Sequence, residues 1–243
     1  MNKQSSPLVR KLTAYVALSN PEIAILEGFH QHRRSFVDRI DMVYEGQADS
    51  SAFIIASGWA CSYKILRGGG RQIVDFEIPG DILGLRGALF RTADHSAEPL
   101  NQVQASEVKI KALLAAFEAC PRLATAILWA VSSDEAIVVE RLVSLGRRDA
   151  AERVAHLFLE LGARLKLVGL ATANSYECPL SQYILADALG LSAVHINRVL
   201  RQLREDGLMT FRDGTVTFGN LDQLVALAGF DKAYLDYEGP MIK

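Results

Sequence analysis

Residues 180–207 read Leu-Ser-Gln-Tyr-Ile-Leu-Ala-Asp-Ala-Leu-Gly-Leu-Ser-Ala-Val-His-Ile-Asn-Arg-Val-Leu-Arg-Gln-Leu-Arg-Glu-Asp-Gly. Ser181 is placed to cap a short helix whose apolar face is Ile184, Leu185 and Ala188. Gly190 permits the left-handed turn that ends this helix. Ser192 is placed to cap a second helix, with Ile196, Leu200 and Leu203 packing inward. The pattern predicts a helix-turn-helix, whose second helix lies in the major groove of DNA. The outward positions of that helix are Ala193, Val194, His195, Asn197, Arg198, Arg201 and Arg204. Arginine pairs bidentately with guanine, and asparagine or histidine bonds base edges. Other side chains hold phosphates and set the register. The expected DNA-contacting set is Ser181, Gln182, Ser192, Val194, His195, Asn197, Arg198 and Arg201. An arginine stripe alone is usually a solvated helix face, and helical hairpins with a glycine turn are common. The whole string is more specific because a wing follows it: Met209 to Phe218 sets Asp213-Gly214 between two β-prone runs, a two-residue hairpin signal.

Upstream, Gly146-Arg147-Arg148-Asp149 interrupts a helical run, and Asp149 is placed to cap a helix over Ala150 to Leu165. This is the candidate domain boundary. Before it, Pro121 opens a long helix to about Leu145. Its Ala124, Leu128, Val131, Val138, Leu142 and Leu145 follow three- and four-residue steps, interrupted by Glu135. Such a seam suits a parallel copy from a second subunit; the plainer alternative is an amphipathic helix lying on its own domain. A further helix is expected at Lys111–Ala119. From about Ile40 to Ile110 short β-type runs end at glycines: Val43-Tyr44, Ala52–Ala56, Trp59–Leu66, Gln72–Ile78 and Val103–Ile110. Short, regularly spaced strands predict a sandwich or small barrel. Leu8, Leu12, Tyr15 and Val16 at the start, and Asn20-Pro21-Glu22 before Ile23, Leu26 and Phe29, predict two helices.

The chain has 243 residues and 26.6 kDa, long enough for one large domain or two small ones. Half the residues are hydrophobic and 22% charged, which excludes a disordered chain. No run approaches the ~18–20 apolar residues of a membrane span, so no membrane partner is expected. Met1 to Pro7 lacks a secretory core, so a cytoplasmic location is expected. Cys61, Cys120 and Cys178 are isolated, which excludes a disulfide framework and C-x-x-C chemistry. The net charge of −2 argues mildly against nucleic acid as a partner. Placement outweighs that sum: three arginines line the second helix, while Asp187, Glu205, Asp206 and Asp213 lie elsewhere in the motif. Weak non-specific DNA binding with marked salt dependence is expected.

With these motifs in place, nearly the whole chain resembles the CRP/FNR (cyclic-AMP receptor) superfamily of transcription regulators. Gly58, Pro79-Gly80-Asp81 and Gly84 sit where that family's barrel keeps its turns. Leu185-Ala186-Asp187 through Arg198-Val199-Leu200 resembles its DNA-reading signature, and Val194-His195-Ile196-Asn197-Arg198 resembles a recognition helix frequent in alphaproteobacterial regulators. The resemblance implies an α+β chain: an N-terminal cyclic-nucleotide-binding-like β-barrel (jelly roll) over 1–120, a long dimerisation helix over 121–146, and a C-terminal winged helix-turn-helix over 147–243. It implies a homodimer on a near-palindromic double-stranded operator, a contact with RNA polymerase if the protein activates, and no catalysis. The dimer seam would be Leu128, Val131, Val138, Leu142 and Leu145. Arg198 matches the family's base-reading arginine. Val194 replaces its common glutamate and Ala193 lacks a basic side chain, so the operator should differ from that of the cyclic-AMP receptor.

The resemblance also locates an effector pocket at Gly84, Leu85, His95, Ser96, Val138 and Val139. Leu85 stands where nucleotide-binding members hold ribose with glutamate, and leucine accepts no hydrogen bond. His95-Ser96 replaces an arginine-led phosphate grip and lacks the permanent guanidinium fork. Val138-Val139 replaces polar residues that contact the base. Cyclic-AMP binding is therefore disfavoured, and no cofactor is expected; the same-fold alternative is a regulator activated by a cyclic nucleotide in an altered pocket. An iron–sulfur sensor needs clustered cysteines, and residues 1–60 contain none. Cys61, His30, His32 and His95 are formal haem-ligand candidates, each read instead as structural. His30-Gln31-His32 lacks further ligands at a spacing suited to a metal-dependent barrel enzyme, so no metal is expected. Cys178, three residues before Ser181, is a conceivable redox input, with burial as an inert side chain the favoured reading.

Overall fold

Ser6 accepts a hydrogen bond from the Val9 amide and so starts α1 (Pro7–Thr13). A reciprocal Ser19–Glu22 box starts α2 (Asn20–Phe29). In this computed structural model residues 5–30, 32–37, 40–48 and 51–235 are described. The strands follow as β1 (Arg33–Phe36), β2 (Ala52–Ser57), β3 (Ala60–Ile65), β4 (Arg71–Glu77) and β5 (Ile82–Leu83). A short α3 (Leu85–Leu89) precedes β6 (Ser96–Pro99) and β7 (Val103–Val108). Two antiparallel sheets result, ordered β1-β7-β2-β5 and β4-β3-β6. Between them lie Phe53, Ile55, Ala60, Leu83, Ala97, Val103 and Ala105. The β2–β3 turn requires glycine: Gly58 has φ +81°, and a Cβ there would meet the Gln102 carbonyl oxygen.

The sandwich begins earlier than Ile40. Arg33–Phe36 is an exposed edge strand paired to β7, and its polar sequence carries no period-two signal. Val43-Tyr44 forms no strand; Val43 makes one bridge to Ala97. The two-residue β5, the four-residue β6 and α3 were too short to read from pattern.

Next come α4 (Ile110–Ala119) and α5 (Pro121–Arg147), 27 residues that span about 40 Å. One face of α5, with Leu123, Ala126, Ile127 and Ala130, packs into a core with Leu8, Leu12 and Leu113. The seam faces outward: Leu128 is 66% and Leu142 70% exposed, and Val131 and Val138 are exposed too. Leu145 departs from it and is half-buried, with its tip 3.5 Å from where a Gly190 side chain would start. The helix thus lies on its own barrel with one face and presents an apolar stripe on another.

The break falls at Arg148, whose guanidinium donates to Ser144 Oγ (2.6 Å) and Glu140 Oε2 (2.9 Å). Asp149 caps α6 (Ala150–Leu167) by accepting from the Ala151 and Glu152 amides. The remaining elements are β8 (Ser175–Glu177), α7 (Gln182–Leu189), α8 (Ala193–Glu205), β9 (Met209–Arg212), β10 (Thr215–Phe218), α9 (Leu221–Ala228) and a 3₁₀ turn at Lys232–Leu235. Packing does not stop at the break. Trp59, Cys61, Ile73, Phe76 and Ile78 of the barrel share one buried cluster with Phe158, Leu161, Leu185 and Leu189. Among the described residues no helix is long and apolar enough to cross a membrane.

Candidate nucleic-acid interface and sensor cavity

The motif folds as its caps dictate. Ser181 Oγ accepts from the Ile184 amide and Ser192 Oγ from the His195 amide, each at 3.2 Å. Gly190 joins α7 to α8 at φ +63°, a left-handed position that costs glycine little. Ile196, Val199 and Leu203 are the buried face of α8; Val199 takes the inward role expected of Leu200, which is half-buried. On the other face Val194 is 81% exposed, and Asn197, Arg198 and Arg201 are exposed as well. His195 and Arg204 are half-buried.

Asn197 donates through Nδ2 to Gln182 Oε1 (3.2 Å), tying the two helices across the face that would meet DNA. Arg201 pairs with Glu205 of its own helix at 2.9 Å. An exposed pair of this kind contributes only ~0.3–0.5 kcal/mol, so a phosphate can displace it. Arg198 has no ion-pair partner among the described residues, which leaves its five donors for a base or phosphate. Behind α8, Asp213 (φ +50°) and Gly214 (φ +71°) form the two left-handed positions of a tight hairpin between β9 and β10. Asp187 is turned away from DNA: Arg71 Nε of the barrel holds it at 2.8 Å, and Gln72 Nε2 donates to the Ala188 carbonyl at 3.2 Å. These two contacts dock α7 on β4.

In the barrel a cavity of about 400 Å³ lies between β4, β5, α1 and α5. Gly84, Leu85, His95 and Val138 line it; Ser96 and Val139 do not. Ser96 Oγ instead accepts from the Glu45 amide at 2.9 Å, and Val139 points outward, 54% exposed. Five charged residues that the resemblance did not place in the pocket also line it: Lys11, Asp75, Glu77, Asp81 and Asp134. Lys11 Nζ lies 2.7 Å from Asp81 and 3.2 Å from Asp134. Arg164 of α6 donates to Asp81 (2.9 Å) and to the Phe76 carbonyl (2.8 Å). Arg141 of α5 pairs with Glu160 of α6 at 3.0 Å. Burial alone would raise the Asp81 carboxyl, but Lys11 and Arg164 hold it below its ordinary value. Burial raises Glu160 despite Arg141 and Arg164. The alternation Val74-Asp75-Phe76-Glu77 in a predicted strand was the available signal: it places two carboxylates on one face.

Cys178 is 1% exposed, and burial pushes its thiol up to about 12. Its surroundings therefore hold the unreactive protonated form, contrary to a redox input there. His30 is buried and His32 exposed, with Gln31 between them outside the described residues. No group of three or more His, Cys, Asp or Glu able to hold a metal ion occurs among the described residues.

A two-sheet barrel, a long helix with a bare apolar stripe and a winged helix-turn-helix together define a DNA-binding regulator of transcription. Comparison with known proteins agrees part by part. Residues 35–120 match the cyclic nucleotide-binding domain and residues 152–227 the Crp-like helix-turn-helix domain. The nitrogen fixation regulation protein FixK of Azorhizobium caulinodans is 31% identical over 177 residues, 72% of this chain and 70% of that one. The transcriptional activator protein FnrA of Stutzerimonas stutzeri is 26% identical over 185 residues, 76% of this chain and 75% of that one. The solved structure of FixK2 from Bradyrhizobium japonicum superposes with a TM-score of 0.74 at 26% identity, covering 82% of this chain and 98% of that one. The chain belongs to the CRP/FNR family of transcription regulators.

Proposed function

We propose that the chain acts in the cytoplasm as a homodimer on a near-palindromic operator, placing one α8 from each copy in successive major grooves. The reading is carried by the exposed Asn197–Arg198 face of α8, held by two serine caps, with Asp187 held away from it by Arg71. The outward stripe Leu128, Val131, Val138 and Leu142 supports pairing through α5. Half-site centres would lie one helical turn, ~34–36 Å, apart. The working division is a barrel over 1–120, a pairing helix over 121–146 and a DNA-reading part over 147–243, with no catalytic role. Ser181, Gln182, Ser192 and His195 would flank Arg198 on the DNA, with Arg201 on phosphate. An activating form would also touch RNA polymerase. A change in the barrel would act through α5 and the Gly146–Asp149 break to shift the spacing of the two reading helices.

Arg198→Ala is expected to cost ~1–3 kcal/mol at the operator and to relax the preference at one base position. Fluorescence anisotropy with operator duplexes varied one base pair at a time measures both. Unchanged affinity and preference would remove Arg198 as a reader.

A further inference from the structure

The wall of the barrel cavity has the wrong sign for an anion. Asp75, Glu77, Asp81, Asp134 and, one layer further, Glu160 converge on three cations, Lys11, Arg141 and Arg164. Glu77 is the carboxyl left over. It is 7% exposed; its Oε1 accepts from the Ser62 hydroxyl, while the buried Oε2 has no hydrogen-bond partner among the described residues. Burial, then the Asp75 carboxylate, pushes Glu77 well above the ordinary carboxylate range, against the opposing pull of Ser62 and Arg164. A buried carboxyl without a partner is costly when ionised and is relieved by a cation. The opposite wall is apolar, formed by Leu12, Ile127, Ala130 and Val131. The volume, about 400 Å³, is that of a small-molecule site with a few convergent polar groups.

We infer that this cavity binds a small amphipathic organic cation, its ammonium or amidinium group meeting Glu77 and Asp134 and its apolar body lying under α1 and α5. A cyclic phosphate placed there would face the carboxyl groups of Asp75, Glu77, Asp81, Asp134 and Glu135, and the flanking Arg86 and His95 are both engaged with Asp94. Val131 and Val138 line the cavity and also lie on the outward stripe of α5, so an occupant would press on the pairing helix. The inference rests on reading the barrel as the sensor of the proposed regulator.

The test is calorimetric titration of the full chain, without DNA, using 2-phenylethylamine, the neutral 2-phenylethanol, the anionic phenylacetate, and cyclic AMP. The amine is expected to bind, with the alcohol weaker by about tenfold or more and no heat from either anion. Any proton that Glu77 or Asp134 holds in the empty cavity would pass to the buffer on binding, so the observed heat should vary with the ionisation enthalpy of the buffer. Groups close enough to share that titration are Lys11 of α1, Ser62 and Cys61 of β3, Asp75 of β4, Asp81, Asp134 of α5 and Arg164 of α6. Glu77→Gln keeps the shape and the Ser62 contact and is expected to weaken the amine about tenfold; Asp134→Asn is the second variant should Glu77→Gln not fold. Silence with the amine, equal binding of the alcohol or an anion, or full amine affinity in a folded variant overturns the inference. Because DNA is absent from the titration, such a failure leaves the operator reading, tested through Arg198, standing.

Discussion

A chain carrying Leu128→Glu and Leu142→Glu together is expected to sediment as a monomer and to bind operator about 10²–10⁴-fold more weakly than the unaltered chain. Both side chains point outward, at 66% and 70% exposure, and touch no part of the buried core. Surface changes of this kind usually alter folding stability by no more than ~0.5 kcal/mol, so each copy should keep its helix content and melting temperature. In a pair of parallel α5 helices the same positions face each other across an apolar seam, where ionised carboxylates lose their water and repel. A monomer carries one reading helix and forfeits the second half-site, the source of the large loss. Analytical ultracentrifugation and anisotropy read both quantities on one preparation. A dimer of ordinary operator affinity would show that copies pair elsewhere.

The second large effect is expected at Arg164. Its guanidinium lies 3% exposed between domains, 2.9 Å from Asp81, 3.5 Å from Asp75 and 3.6 Å from Glu160, and donates to the Phe76 carbonyl. Arg164→Met should keep most of the packing and leave those carboxylates short of a cation. Removing one partner of a buried ion pair typically costs ~3–5 kcal/mol, because the remaining charge cannot return to water. Urea unfolding should report a loss of that order. A loss below ~1 kcal/mol would mean that the carboxylates are protonated or solvated and that the network does not join barrel to α6. The paired change Arg141→Met with Arg164→Met should be non-additive, since both cations serve Glu160 and Asp75.

The DNA-reading unit was legible because its signals are local. Ser181, Gly190, Ser192 and Asp213-Gly214 each fix one cap or turn within a few residues, and each does so in the structure. The stripe of α5 was equally open to periodicity. Val199 replaced Leu200 on the inner face of α8 because α6, α7 and β9 together decide which flank of a two-sided helix is covered. Arg33–Phe36 escaped notice because an exposed edge strand leaves no alternation in sequence, and Ser96–Pro99 because four residues are too few for its alternation to register. The acidic wall of the cavity was hidden by distance. Lys11, Asp81, Asp134 and Arg164 come from four separate elements, and nothing local to any of them marks the others. Whole-chain charge was the least informative quantity, since it sums a basic α8 face with carboxylates buried in the barrel.

The most direct measurement is selection of bound duplexes from random double-stranded DNA by the purified chain. Enrichment of one motif with two inverted half-sites, their centres about one helical turn apart, is the expected result. Recovery of no motif, or of a single half-site without its inverted mate, would contradict a homodimer that reads DNA through α8.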